Sequence, residues 1–238
     1  MQKFSLYDIL TVLFPGVIFL FILDKIRLLS GCFLTYNLTS QWDVIILLSV
    51  FLGASVYVLS FSLTAPKFLW FYTVLKLYQP VSDLFYQCSF PRAVVQLLNR
   101  RSIKWYEREL FPTKEVFISL SEDDRKEICD LQDEYYDRMY YELDYERRLD
   151  KAITFQSFYL FFRNLVIVSF GGLLLLVCVT FWNLISLSNG ITEDVVFLFV
   201  VLMLLAFLSV WIARWYRRRM VHKMYWYFYS HINAKQKI

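Results

Sequence analysis

Histidine and cysteine, which most metal sites and many catalytic centres require, are scarce in this 238-residue chain. There are two histidines and four cysteines, and no two cysteines have the CxxC spacing. A zinc site or a histidine-based catalytic centre therefore lacks its usual ligands. The phosphate loop GxxxxGK[ST] and the motifs GxGxxG, HExxH and GxSxG are also missing from the sequence. We expect no enzymatic activity, no bound metal and no cofactor.

Glycine and proline are few as well, six and five respectively, which argues against long flexible linkers. Hydrophobic residues make up 58% of the chain and charged residues only 19%. A soluble domain is nearer half apolar and a quarter charged. The apolar residues lie in blocks near both ends, and the charges lie mainly in the middle. This distribution is typical of membrane spans on either side of a polar segment.

Four apolar stretches predict membrane helices, at about residues 7–29, 44–64, 165–185 and 195–213. They pair into two transmembrane hairpins, residues 1–64 and 164–213, and a turn is expected at Asn189-Gly190. Pro15-Gly16 interrupts the first stretch. Proline removes a backbone donor, so this pair is either an ordinary kink or a hinge. Small residues at Gly53 and Gly171 suit close helix contact.

A helical insert, residues 65–163, is expected between the hairpins. Ser121 is followed by Asp124, which predicts a helix amino cap. The helix after this cap places Leu131, Tyr135, Met139 and Leu143 on one apolar face. We call these four residues the interaction face. An apolar face of this kind must pack against another surface, either residues 70–86 of the same chain or a second subunit. Packing against a second subunit predicts a homo-oligomer. Residues 67–86 themselves fit an interfacial or a re-entrant segment.

The distribution of lysine and arginine predicts the orientation of the chain. The insert holds 15 of the 25 basic residues, the segment from Arg214 onward holds seven, and Lys3 adds one. The two short connections between spans hold only Lys25 and Arg27. Basic residues favour the cytosolic side of a membrane. We therefore expect a cell inner-membrane protein that crosses four times, with both termini and the insert in the cytosol.

The last segment, residues 214–238, is basic and aromatic, and it allows two interpretations. We expect a membrane anchor that contacts anionic lipid, because tryptophan and arginine favour the headgroup zone. The anchor residues are Trp211, Arg214, Trp215, Arg217, Arg218, Arg219 and Lys223. The alternative is a ribonuclease, because the spacing Arg217-x4-His222 occurs in metal-independent ribonucleases. General nucleic-acid binding is not expected, since 16 acids offset the 15 bases of the insert.

The chain start SLYDILTVLFPGVIFL resembles the opening Tyr-Asp-x-Leu…Pro-Gly of small multi-span proteins from bacterial anti-phage loci. These are the membrane accessory proteins of Cas13b-type CRISPR systems and the membrane subunit of Kiwa defence. Phe161-Phe162-Arg163-Asn164-Leu165 is also similar to a stretch in uncharacterised bacterial membrane proteins. The resemblance implies an oligomeric inner-membrane accessory or effector, and it supplies no catalytic residue.

These observations predict an all-α integral membrane protein with four transmembrane helices and a helical cytosolic insert. Its expected function is that of a multi-pass interaction or effector protein. A cytosolic protein could bind through the insert. The alternative is a passive channel or pore, for which the kinked first span is the argument. A membrane-bound enzyme or ribonuclease ranks below both.

Overall fold

The structure is a computed structural model that describes residues 9–29, 42–62, 84–86, 91–107, 109–146, 149–185 and 192–235. The fold is 93% helical, with no strand in the described ranges. The predicted all-helical class is therefore confirmed. The predicted turn at Asn189-Gly190 and most of the segment 67–86 lie outside the described residues.

Besides a helical stretch at residues 84–86, seven α-helices with both ends described follow one another along the described part of the chain. They are α1 (Phe14–Leu29), α2 (Trp42–Ser62), α3 (Arg92–Tyr106), α4 (Lys114–Ser119), α5 (Glu122–Tyr145), α6 (Asp150–Ile185) and α7 (Glu193–Lys235). A π-helical turn, Ile9–Leu13, precedes α1. The predicted amino cap of α5 is confirmed, because the Asp124 N–H donates to Ser121 Oγ at 3.2 Å. A carboxylate-rich first turn also favours this helix start.

Three helices are long and apolar enough to cross a membrane, by length and composition. Within the part of the chain that the structure describes, they are Ile9–Leu29, Ala152–Ile185 and Glu193–Ala234, whose most apolar 18-residue stretches have mean hydropathies of 2.2, 2.5 and 3.0. The apolar part of α2, Val44–Ser60, is shorter than the roughly 20 residues that a bilayer of about 30 Å requires. The structure thus agrees with three of the four predicted spans.

Helices α1 and α2 cross in backbone contact at two glycines. A Cβ atom added to Gly16 would lie 1.8 Å from the carbonyl oxygen of Ser49. One added to Gly53 would lie 1.9 Å from the carbonyl oxygen of Val12. Glycine is therefore required at both positions. Gly53, which the sequence predicted to suit close helix contact, makes such a contact between two helices of the same chain.

The start of the first membrane helix is irregular around Pro15. Proline has no N–H for the carbonyl four residues earlier, which here belongs to Thr11. The side-chain Nδ2 of Asn164, in α6, donates to that carbonyl at 2.7 Å. Thr11 and Asn164 are both buried. A buried amide thus stabilises the stretch where the helix changes from π to α geometry, and the hinge at Pro15-Gly16 stays a prediction.

The chain forms two compact units. The first unit contains Met1–Leu77 and Ser157–Tyr216, and the second contains Tyr78–Gln156 and Arg217–Ile238. The second unit therefore joins the predicted insert to the C-terminal segment, two parts of the chain that sequence analysis treated as separate domains.

An aromatic core holds the second unit together. Buried side chains of α5 pack against buried side chains of the C-terminal part of α7, with Phe85, Leu98 and Phe111 around them. The rings of Phe111 and Tyr135 meet edge to face with centroids 5.6 Å apart, and those of Tyr135 and Phe228 meet at 6.1 Å. The Tyr136 hydroxyl donates to Sδ of Met224 at 2.8 Å. The last two contacts join residues about 90 positions apart in the chain.

Candidate membrane anchor and interaction face

The predicted anchor residues lie on one continuous helix. Helix α7 does not end at the last apolar residue of the predicted span but runs on to Lys235. Trp211, Trp215, Arg218 and Arg219 are exposed, and Arg214, Arg217 and Lys223 are partly exposed. An ordered helix therefore carries the basic side chains, but it does not direct them all to one side, and Nε of Arg217 is buried. This geometry is compatible with contact to anionic headgroups.

One face of the segment from Arg217 onward is buried in the second unit, which the sequence did not indicate, and Arg217 lies on that face, four residues before Val221. The buried side chains of this face are Met220, Val221, Met224, Tyr225, Phe228 and Ile232. Their spacing of three or four residues is that of an amphipathic helix and could have predicted a packed face. The interleaved arginines and aromatic residues indicated a membrane interface instead. The C-terminal segment is thus a core element as well as a basic surface.

Tyr216 fixes the basic segment against α6 within the first unit. Its ring stacks on Phe158 and Phe162, with centroid distances of 5.0 and 5.8 Å and interplanar angles of 17° and 12°. Trp215 meets the same ring edge to face at 4.9 Å. Stacked rings bury large apolar areas and restrict rotation about the helix axis. The direction in which Arg214 projects from α7 is therefore set by packing.

The histidine of the ribonuclease-like spacing makes a local hydrogen bond. Nε2 of His222 accepts from the indole Nε1–H of Trp226 at 3.0 Å, one turn further along α7. A general base needs a ring nitrogen directed at the proton it removes. Here that nitrogen is directed at a neighbouring side chain of the same helix. The geometry therefore gives the ribonuclease alternative no support.

The predicted interaction face is buried by the chain itself. Tyr135, Met139 and Leu143 are buried in the core of the second unit, and Leu131 packs against it. The cover is α7, which neither of the two expected covers included, and Phe85 contributes from within residues 84–86. Burial raises the pKa of the neighbouring Tyr136 hydroxyl to about 12. The face acts as core in this structure.

Two tyrosines on α5 are exposed in its place. Tyr145 has 91% of its surface exposed and Tyr141 has 71%. They are four residues apart, so they lie on the same side of the helix. Val116 and Ile118 of α4 are also exposed. Aromatic side chains at a surface are common anchors in protein interfaces. Among the described residues of the second unit, these side chains are the large apolar groups left exposed.

A histidine near the chain end lies among charged groups of α5. Nε2 of His231 is 3.1 Å from Oε1 of Glu146 and 3.8 Å from Oε1 of Glu142. Arg101 of α3 also reaches Glu142, with Nη2 to Oε1 at 3.2 Å. His231 is buried whereas both carboxylates are partly exposed. The cluster joins three helices of the second unit, and sequence analysis found no signal for it.

Arg163 and Asn164 form a second buried polar pair that the sequence placed just outside a span. In the structure they lie inside the long apolar helix Ala152–Ile185. Arg163 is 5% exposed, and its guanidinium carbon lies 5.8 Å from the centroid of the Tyr159 ring. Strongly polar and charged side chains within membrane helices are costly and usually face the interior of the protein. Both residues follow this rule.

Comparison with protein-family models gives no match, and comparisons with curated proteins and with solved structures give none that is significant.

Proposed function

We propose that this chain is a four-span inner-membrane protein whose second unit lies in the cytosol and binds a protein partner. The partner is a cytosolic protein or a second copy of the chain. The resemblance at the chain start suggests the setting, an accessory or effector of a bacterial anti-phage system. The observation that supports the proposal best is the separately packed second unit, whose two chain segments each adjoin a long apolar helix.

The surface of α2 supports a fourth crossing. Leu47 is 72% exposed and Phe51 is 67% exposed, and Ile46, Val58 and Leu59 are exposed as well. An apolar surface that surrounds a helix on several sides is unfavourable in water and favourable in lipid. α2 is also in backbone contact with α1 through Gly53. A short helix that packs against a spanning helix can still cross the membrane if the bilayer becomes slightly thinner around it.

The basic residues support a cytosolic second unit. The two segments of this unit, Tyr78–Gln156 and Arg217–Ile238, contain 18 of the 25 lysine and arginine residues of the chain. Both segments must lie on the same side of the membrane if they share one core. Four spans with cytosolic termini satisfy this requirement, and they also satisfy the preference of basic residues for the cytosol.

The topology can be tested with single cysteines in a chain whose four native cysteines are serine. Asn189→Cys should react with a membrane-impermeant maleimide from outside the cell. Tyr145→Cys and a cysteine placed before Gln2 should react only after permeabilisation. Reaction of the N-terminal cysteine from outside, with Tyr145→Cys protected, would mean that α2 does not cross. Reaction of Tyr145→Cys from outside would refute a cytosolic second unit.

Partner binding can be tested with a photo-crosslinking amino acid at Tyr145, with Tyr135 as the matched control. Both are tyrosines of α5, but Tyr145 is exposed and Tyr135 is 3% exposed. Cross-linking in intact cells should yield a defined adduct from position 145 and none from position 135. Mass spectrometry of the adduct then distinguishes another protein from a second copy. The interaction proposal fails if position 145 yields no defined adduct.

A further inference from the structure

A groove in the first unit runs between α6 and α7 and ends at a tryptophan and an arginine. Its volume is about 370 Å³. Its apolar wall includes Phe170, Met203, Phe207 and Val210, and its end is formed by Trp211 and Arg214. The groove thus combines a long apolar wall with one cationic group at one end.

The length of this groove matches one leaflet of a bilayer. Met203 and Arg214 are eleven residues apart on α7, which at 1.5 Å per residue is about 16 Å. The hydrocarbon core of a bilayer is about 30 Å thick, so one leaflet contributes about 15 Å. An acyl chain that extends from Met203 toward Trp211 therefore brings its headgroup to the level of Arg214. Tryptophan prefers this same interfacial depth.

A second groove on the same two helices provides an internal comparison. Its volume is about 340 Å³, and its wall includes Leu176, Phe181, Val195 and Phe199. None of the described residues that line it is arginine or lysine, and the two residues before Val195 are Glu193 and Asp194. The two grooves are alike in size and in apolar lining. They differ in the charge at their ends, positive at Arg214 and negative near Val195.

We propose that the groove at Arg214 binds one anionic glycerophospholipid of the cytosolic leaflet. An acyl chain lies along Met203, Phe207 and Val210, and the phosphate pairs with the guanidinium of Arg214. A phosphate near arginine is favoured by charge-assisted hydrogen bonds, which a planar guanidinium can make in pairs. The stacking of Tyr216 on α6 holds this part of α7 in a fixed rotation. The inference rests on the proposed topology, which puts Arg214 at the cytosolic surface.

The test is native mass spectrometry of the detergent-purified full chain with added phosphatidylglycerol or phosphatidylcholine of identical acyl chains. Wild type should retain phosphatidylglycerol preferentially. Arg214→Gln should lower that preference about five-fold, which corresponds to about 1 kcal/mol per basic residue. Arg214→Lys should restore most of it. Arg100→Gln removes the same charge from an exposed position of α3 and should change nothing.

A matched pair of substitutions tests the apolar wall. Met203 and Leu204 are adjacent and similarly exposed, at 49% and 56%, but Met203 lines the groove and Leu204 does not. Met203→Trp fills the groove and should reduce retention of both lipids, whereas Leu204→Trp should not. Because both side chains are exposed, neither substitution disturbs the buried core, and thermal unfolding of the variants checks this.

Several outcomes would overturn the proposed site. They are equal retention of the two lipids by wild type, an Arg214→Gln variant that behaves like wild type, and equal effects of the two tryptophan variants. Displacement of the lipid by millimolar inorganic phosphate would assign the arginine to a soluble anion instead. If these results hold but cysteine labelling places Tyr145 outside, the topology fails and the lipid site stands in the other leaflet. If labelling holds and lipid preference does not, the site alone fails.

Discussion

The contact of α1 with α2 in the first unit and the core of the second unit achieve close packing by opposite means. In the first unit, α1 and α2 remove side chains from their contact, so that backbone meets backbone at Gly16 and Gly53. In the second unit, large rings fill the interior, and Phe85, Phe111, Tyr135, Tyr225 and Phe228 are all buried. Lipid gives no hydrophobic drive between helices, so close contact at small residues must hold them together. In water, burial of aromatic area is itself the driving force.

The largest loss of stability is expected from substitutions at the two glycines where α1 and α2 are in backbone contact. Gly53→Ala or Gly16→Ala places a Cβ within 2 Å of a backbone oxygen, which only movement of a whole helix can relieve. Overpacking typically costs about 1–3 kcal/mol and more when the backbone must shift. Little monodisperse protein should remain in detergent, as measured by size-exclusion chromatography. Gly171→Ala is the control, because its nearest atoms are the ring end of Phe19 at 3.9 Å. Equal loss in all three variants would contradict this explanation.

A large-to-small substitution should damage the second unit while the spans remain inserted. Leu143 is fully buried beneath α7, so Leu143→Ala should lower the free energy of unfolding of this unit by about 2–4 kcal/mol. Hydrogen exchange should then accelerate in α5 and in residues 217–235, and alkaline extraction should still leave the chain in the membrane. Tyr145→Ala removes a larger but exposed side chain and should change stability by less than about 0.5 kcal/mol. If the two variants lost a similar amount of stability, the interaction face would not belong to the buried core.

Alkaline pH should destabilise the second unit more than the first. The reason is that folding of the second unit disfavours ionisation of a buried phenol. Burial raises the pKa of Tyr136 to about 12, from 10 in the unfolded chain. The protonated phenol therefore stabilises the fold below pH 10, and that contribution is lost as the pH rises through about 12. A difference of two pH units corresponds to at most about 2.7 kcal/mol. Circular dichroism in the aromatic region should report the loss, and Tyr136→Phe should shift it to higher pH. An unchanged midpoint in Tyr136→Phe would assign the alkaline transition to other groups.

The smallest effect concerns hydrogen bonds in the first unit. Asn164→Leu removes the bond to the Thr11 carbonyl and should destabilise the chain by about 1 kcal/mol, as side-chain hydrogen bonds between membrane helices usually do. Asn183→Leu is the comparison, because its bond to the Leu29 carbonyl is longer, at 3.3 Å against 2.7 Å. Thermal unfolding in one detergent should rank the two variants in that order. The reverse order would show that Pro15 does not depend on Asn164.

The amino-acid sequence predicted the features that depend on local patterns. Apolar runs of bilayer length indicated the long membrane helices, and Ser121 with Asp124 indicated the start of α5. It predicted neither the partner of the α5 face nor the extension of α7 to Lys235. Leu143 and Phe228 are 85 residues apart, and no local pattern specifies which distant face covers a helix. In residues 214–232 the buried Met220, Met224 and Phe228 alternate with arginines and aromatic residues, so composition alone indicated a lipid interface.

Because the chain is synthesised from its amino terminus, the second unit remains incomplete for a time during synthesis. Its α5 is finished at Tyr145, but α7, the helix that covers it, is complete only at Lys235, after α6 and the apolar part of α7 have been made. At 5–20 residues per second, ribosomes need about 5–20 s for those residues. During that time the Tyr135, Met139 and Leu143 face has no α7 to pack against. Every nascent chain therefore passes through a state in which this face is open to chaperones, to proteases and to other nascent copies.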